Sequence, residues 1–324
     1  MKYPGERSRS TSQPDTRYPQ STMPDPCRVL ITANPFSGKG TNEQRVQRLR
    51  DQLAKHNLKS DLIWDLDERR KLLSNPDIGQ TYRCLIAAGG DGSIAAAISD
   101  LALGGAPARL PLAMLPIGNE NLFAIEMGFD QGEAELARTI AQGHTRCIDV
   151  GKANGQLFTL MTSVGFDSEV VQRIDRWRRS GKAKLKRVSR ASYAPKIIGA
   201  IAQYKYPPIT LHADGQTHTG VHVFVFNIGQ YGGSLGLAKH ADPVDGLLDW
   251  IVFKRPGLIG LANYGVSILR GKHLQRDDVA HGRSSHVTIT TQDPLPIQID
   301  GDPGGQTPVE VSVLPQALCV ITQA

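Results

Sequence analysis

The sequence predicts an α/β domain with glycine-rich turns along one sheet edge, followed by a β-sandwich domain. Three observations carry this. Ahead of Asp149, three apolar runs, Val29–Ala33, Leu85–Ala88 and Leu112–Leu115, each end in a polar turn that opens a helix. Beyond Gly151, short β-rich segments alternate with Gly, Asn and Asp turns. A chain of 324 residues is long enough to bury two cores. The expected organisation is a disordered tail over 1–26, an α/β domain over 27–149 and a β-rich domain over 150–324.

Residues 1–26 are rich in Ser, Thr, Pro, Arg and Asp and nearly free of aliphatic side chains, which predicts disorder. They hold no apolar core of a secretory signal, and no run of the chain approaches a transmembrane length. Val29–Ala33 reads as a buried parallel strand. Asn34-Pro35-Phe36-Ser37-Gly38-Lys39-Gly40 then leads into an amphipathic helix from about Asn42 to His56. This segment is no Walker A loop, because the first glycine and the Lys-Ser/Thr ending are missing. The second strand ends in Gly89-Gly90-Asp91-Gly92-Ser93, before a small-residue helix over Ile94–Ile98. Glycines at such a turn let backbone approach a phosphate, and the helix N-terminus adds unpaired N–H groups. Asp91 is the odd member, since a carboxylate repels phosphate unless it acts through a metal or a hydroxyl. Alone, the motif fits a tight turn equally well. The third strand leads into Pro116-Ile117-Gly118-Asn119-Glu120-Asn121. All three turns fall at the carboxyl edge of one sheet, where open α/β sheets bind ligands.

In the second half, strands are expected over Leu157–Ser163, Ile209–His212, Val221–Ile228, Leu248–Phe253, Val287–Thr291, Pro296–Asp300 and Ala317–Thr322. Cys27, Cys84, Cys147 and Cys319 lack metal-ligand spacing, and three lie in or beside apolar strands, so buried free thiols in a reducing cytosol are expected. Between Arg173 and Lys205 the chain carries eleven Lys or Arg against one acid, Asp175, with Trp177, Leu185, Val188 and Tyr193 interleaved. Such a run fits a solvated helical face, an anionic lipid surface or nucleic-acid phosphates.

Taken together, these turns resemble the diacylglycerol-kinase-type lipid kinases, the superfamily that includes sphingosine and ceramide kinases. The resemblance spans roughly residues 27–324. It rests on Asn34-Pro35 with Ser37-Gly38, Gly89-Gly90-Asp91-Gly92-Ser93, Leu115 to Ala124, Asp149-Val150-Gly151 with Val164 to Val170, Asp245-Gly246-Leu247-Leu248-Asp249, and Ile299-Asp300-Gly301-Asp302. It implies a nucleotide-binding first domain, a lipid-binding second domain, and transfer of the γ-phosphoryl group of ATP to a lipid hydroxyl with Mg²⁺. By the resemblance, Asn34, Gly89, Gly90, Asp91, Gly92, Ser93 and Asn119 line the nucleotide site, and Asp91 serves the metal through water. Asp302 stands where several members carry a Glu proposed as base, with Asp300 near enough to influence its pKa. Asp300-Gly301-Asp302 reads alternatively as a plain hairpin turn. Asp242, Asp245 and Leu247 resemble a loop holding a structural Mg²⁺ through the Asp245 carboxylate and backbone carbonyls, or else a polar turn before a strand.

Some residues depart from the family pattern. Asn119 replaces a hydroxyl residue, Leu122 stands where relatives carry an Asp that meets the acceptor head, Glu120 is its nearest substitute, and Ala95-Ala96 replace an Asn-Glu pair. These changes also fit a silent relative that binds nucleotide or lipid without turnover. The NAD kinases, which share the Gly-Gly-Asp-Gly turn, give a third reading. The implied partner is a lipid acceptor at a membrane surface, contacted peripherally through 173–205. No nucleic acid is required, a homodimer is compatible, and the expected location is cytoplasmic or peripheral at the membrane.

Overall fold

The computed structural model describes residues 21–22, 27–33, 42–105, 110–118, 120–180, 204–232 and 235–323. The elements are β1 (Ser21–Thr22), β2 (Arg28–Ala33), α1 (Asn42–Lys55), β3 (Lys59–Ile63), α2 (Leu66–Leu73), α3 (Ile78–Thr81), β4 (Cys84–Gly89), α4 (Asp91–Leu103), β5 (Leu112–Pro116), α5 (Leu122–Met127) and α6 (Glu133–Gln142). Past residue 143 come β6 (His144–Ala153), β7 (Gln156–Phe158), β8 (Met161–Val164), α7 (Phe166–Arg179), β9 (Ile209–Ala213), β10 (Gln216–Gly220), β11 (His222–Phe226), β12 (Leu248–Phe253), α8 (Gly257–Leu269), β13 (Val279–Ser284), β14 (His286–Thr291), β15 (Pro296–Ile299), β16 (Asp302–Gln306) and β17 (Val309–Ile321).

The parallel part of the large sheet runs β3-β2-β4-β5. β4 is buried along its whole length, as expected of a central strand with helices on both faces. α1 packs through Val46, Leu49 and Leu53, the apolar stripe expected from its spacing. Ala33 pairs with Ala88 and Gly89 with Pro116, so β2, β4 and β5 end side by side. This register brings the turns after β4 and β5 together.

The sheet does not stop at the first domain. β17 lies parallel to β5 at Val320–Leu112 and antiparallel to β6 and β14, so the order continues through β14, β9 and β10. A register shift between Leu314 and Leu318 bends this strand from one half of the molecule into the other. The second sheet, β13-β12-β11-β8-β15-β16, is antiparallel throughout. Val223, Val225, Val252 and Ile297 on one of its faces pack with Ile209, Leu211, Val287 and Val311 of the large sheet, forming the sandwich core. Its other face presents Met161, Phe224, Phe226, Ile251 and Phe253, which join the core of the α/β half.

The fold class is the one the sequence predicts, with two corrections. Cys147 and Cys319 stand directly opposite each other on β6 and β17 and form a disulfide. Cys27 is exposed, so only Cys84 is a buried free thiol, its pKa pushed up to about 12 by burial. Within the expected tail, Ser21 and Thr22 pair with Thr145 and His144. Among the described residues no helix is long and apolar enough to cross a membrane.

Candidate active site between the two domains

Gly89 ends β4, and its carbonyl accepts the N–H groups of Ile117 and Gly118 at 2.8 and 3.1 Å, tying the second turn to the third. Gly90 and Gly118 meet backbone to backbone. A Cβ on Gly118 would lie 2.5 Å from the Gly90 Cα, closer than carbon atoms can approach. Asp91 opens α4, yet its carboxylate reaches back to α5, accepting the Leu122 and Phe123 N–H groups at 3.1 and 3.0 Å. Its place among anion-binding amides thus has a structural cause: it satisfies the orphan donors of α5, which begins from Asn121 in the left-handed region. Burial raises the Asp91 pKa, these two bonds oppose the rise, and Glu120 adds to it.

Asp300 and Gly301 are the two central residues of the β15–β16 hairpin, with φ of 49° and 86° and with Ile299 opposite Asp302. Positive φ at both positions is the geometry for which Asp-Gly is favoured. The hairpin turns the Asp300 side chain inward. Its carboxylate accepts the N–H groups of Thr159, Leu160 and Met161 at 2.8, 2.9 and 2.9 Å, and the Thr159 hydroxyl at 3.2 Å. A carboxylate offers about four lone-pair positions, and all are filled. Burial nevertheless pushes its pKa up to about 6. Asp302, two residues on, is exposed and borders a groove beside Gly92, and its Oδ2 lies 3.7 Å from where a Cβ of Gly92 would stand. Burial of its surroundings raises its pKa, Arg178 opposes the rise, and Asp175 adds to it.

Between the domains lies a cavity of about 230 Å³, bounded by Asp91, Glu120, Leu122, Asp167, Tyr231 and Asp300. Asp167, in the first turn of α7, accepts the Ser163 and Tyr231 hydroxyls at 2.7 and 2.8 Å, and burial raises its pKa. Gln298 donates to Ser163 at 3.1 Å and completes the network. Sequence reasoning did not single out Asp167, Tyr231 or Gln298 as site residues. The available signal was an acid followed by polar residues at the start of an amphipathic helix. Beside this cavity, Gly92, Ala95, Ala96, Leu157, Ile299 and Asp302 border a groove of about 540 Å³.

Residues 28–153 match the diacylglycerol kinase catalytic domain, and residues 161–322 match the YegS C-terminal NAD kinase beta sandwich-like domain. The chain belongs to the bacterial diacylglycerol-kinase-like lipid kinases. A diacylglycerol kinase of Mycobacterium tuberculosis (strain H37Rv) is 27% identical over 307 residues, covering 91% of this chain and 94% of that one. A diacylglycerol kinase of Bacillus subtilis is 26% identical over 233 residues, 71% and 74% of the two chains. The crystal structure of a diacylglycerol kinase from Bacillus anthracis shares the fold, with a TM-score of 0.64, 22% identity, and coverage of 91% and 97%.

Within this lipid kinase family member, the structure brings together Gly89, Gly90, Asp91, Gly92 and Ser93 from one half, and Asp300 and Asp302 from the other. Asn34 and Asn119 lie outside the described residues, as do residues 181–203 of the basic stretch. Of that stretch, Arg173 pairs with Glu169 and Arg179 with Asp175. The expectation that Asp300 tunes Asp302 is corrected, because the two carboxylates face different surroundings: Asp300 is held by the β7–β8 backbone, whereas Asp302 feels the opposing fields of the Arg178 cation and the Asp175 anion.

The loop expected to hold Mg²⁺ is occupied by its own charges. Asp245 accepts the Leu247 N–H at 2.9 Å through one oxygen and pairs with the Arg283 guanidinium at 2.9 Å through the other. Asp149 accepts the Gly246 and Gln316 N–H groups, fixing the loop between β6 and β17. Among the described residues no group of three or more His, Cys, Asp or Glu side chains converges as a metal site. In this structure both Asp245 oxygens have partners, so a dication bound there would have to displace the Arg283 guanidinium.

Proposed function

We propose that the chain is an ATP-dependent lipid kinase that transfers the γ-phosphoryl group to a lipid hydroxyl, with Asp302 as the general base. The observation that carries this reading is Asp302, from the second domain, standing against Gly92 of the glycine turn in the first. Phosphoryl transfer demands positioning of phosphate and acceptor more than covalent chemistry. Backbone N–H groups at the start of α4 and the closely packed Gly90 and Gly118 supply a phosphate cradle. The acceptor hydroxyl sits between the γ-phosphate and Asp302. Its proton passes to the Asp302 carboxylate as the new O–P bond forms, the bond to the β-phosphate oxygen breaks, and ADP leaves. A divalent cation carried by the triphosphate would neutralise its charge. Asp91, which keeps a lone pair on each oxygen, is the side chain placed to meet that cation's water. Asp300 is a positioning residue, since it has no lone pair left for a substrate proton. Leu122 and Met161 give the cavity an apolar wall, and Asp167 with Tyr231 gives it a polar end suited to a hydroxylated headgroup.

The test is Mg²⁺-dependent transfer of labelled γ-phosphate from ATP into a total lipid extract, with Asp302→Ala run in parallel. Label in one lipid band, lost in the variant while ATP binding is kept, is the expected result. Label in NAD but in no lipid, or ATP binding without any labelled product, overturns it.

A further inference from the structure

We propose that helix α8 docks the protein on an anionic lipid bilayer. This deepens the lipid kinase reading by naming the surface that meets the membrane. α8 is built inside out. Its fully buried residues are Gly260, Tyr264 and Ser267, a glycine, a phenol and a hydroxyl, with Ile268 packed partly buried beside them. Leu258, Ile259, Val266 and Leu269 are instead 58%, 79%, 48% and 76% exposed. Ile259, Ala262, Val266 and Leu269 follow one another at helical spacing, so they form a continuous outward stripe. No residue from Gly257 to Leu269 is charged. A water-facing helix ordinarily has the reverse pattern, and a contiguous apolar face of this kind marks an interaction surface.

The ends of the helix indicate which surface. Lys254 precedes it, Arg270 and Lys272 follow it, and all three are exposed. An apolar face with cations at its rims matches the boundary between headgroups and acyl chains, where each near-surface Lys or Arg is attracted by anionic lipid. The anchoring is firm. The Tyr264 hydroxyl accepts the Arg255 N–H at 2.9 Å and donates to the Asp278 carbonyl at 3.2 Å, and Arg276 lies over its ring at 5.2 Å. At 13 residues the helix is too short to span a bilayer, so it lies in the interface.

Its position suits a lipid acceptor. Tyr264 packs on Phe253 at 4.6 Å, Phe253 on Phe224 at 5.8 Å, and Phe224 on Tyr231 at 5.6 Å. Tyr231 is the hydroxyl donor to Asp167 in the cleft. This row of rings runs along the sheet face away from the sandwich core, so helix and cleft share that face of the second domain.

Cosedimentation without ATP tests the docking. The probes are phosphatidylcholine vesicles and vesicles of equal parts phosphatidylcholine and phosphatidylglycerol. The wild type is expected to bind the mixed vesicles, and Leu258→Glu/Ile259→Glu to lose at least about tenfold in partitioning. Lys254→Gln/Arg270→Gln/Lys272→Gln should lose the preference for phosphatidylglycerol and its salt sensitivity. The glutamate pair is exposed, so an unchanged thermal midpoint will show that folding is kept. Equal vesicle binding by wild type and glutamate variant overturns the proposal. So does a wild-type dimer in sedimentation velocity that the glutamates dissociate, which would make this face an interface between copies. Vesicle binding through α8 by a chain that phosphorylates no lipid would leave the docking standing and remove the kinase reading instead.

Discussion

Asp300 and Asp302 sit two residues apart on one hairpin and do opposite things. Asp300 faces three backbone N–H groups and a hydroxyl, whereas Asp302 faces the groove beside Gly92. The motif was legible in the sequence, and the hairpin reading of it holds. Which acid turned inward was not legible, because that depends on φ at Asp300 and on where the β7–β8 turn lies. Asp300→Asn would aim an NH₂ at N–H donors and forfeit about half of these bonds. It is expected to lower stability by about 1–3 kcal/mol, read as a reduced urea midpoint at unchanged slope. Loss of turnover at undiminished stability would instead give Asp300 a chemical role.

At the scale of elements, the glycine turns were legible because chemistry and spacing coincide there. Their packing was not, since nothing in Gly89-Gly90-Asp91-Gly92 announces that Gly118 will press on Gly90. Gly118→Ala would put a Cβ 2.5 Å from the Gly90 Cα and 2.7 Å from Asn121 Oδ1. Both neighbours are fixed, one by the sheet register and the other by the hydrogen bond that the Asn121 side-chain NH₂ donates to the Gly118 carbonyl. The turns must separate. ATP affinity, measured by calorimetry, is expected to fall at least about tenfold, in line with the cost of overpacking, while the sandwich half keeps its packing. Unchanged affinity would place the nucleotide away from these turns. Helix α8 escaped sequence reading for a related reason. Its apolar residues have helical spacing, but pattern alone does not say that the stripe faces water. Three of the parallel strands, β2, β4 and β5, were legible because fully buried strands read as uninterrupted apolar runs, whereas β3 at the sheet edge, Lys59–Ile63, is polar and partly exposed and was not.

Across the molecule, six aspartates share one direction of pKa shift. Burial is the leading cause of the raised pKa of Asp91, Asp149, Asp167 and Asp302, and of Asp249 and Asp300, which reach about 6. In the unfolded chain these groups titrate near 3.9. Between that value and about 6 the native state therefore holds more protons than the unfolded state. Their contribution to stability is full below the unfolded pKa and is lost as pH rises through the folded one. Asp278 works the other way: the hydrogen bond from Arg276 holds its pKa down, and its contribution disappears only in stronger acid. Urea midpoints are thus expected to fall from pH 5 to pH 7, and Asp300→Asn to flatten part of that slope. A midpoint that rises over this range would show that the buried carboxylates stay ionised throughout. Catalysis asks for the reverse, because Asp302 accepts a proton only when ionised. Turnover should climb with pH through a midpoint above the ordinary carboxylate value, over the range in which stability declines. The ionised Asp302 that the reaction uses is thus a form that burial disfavours.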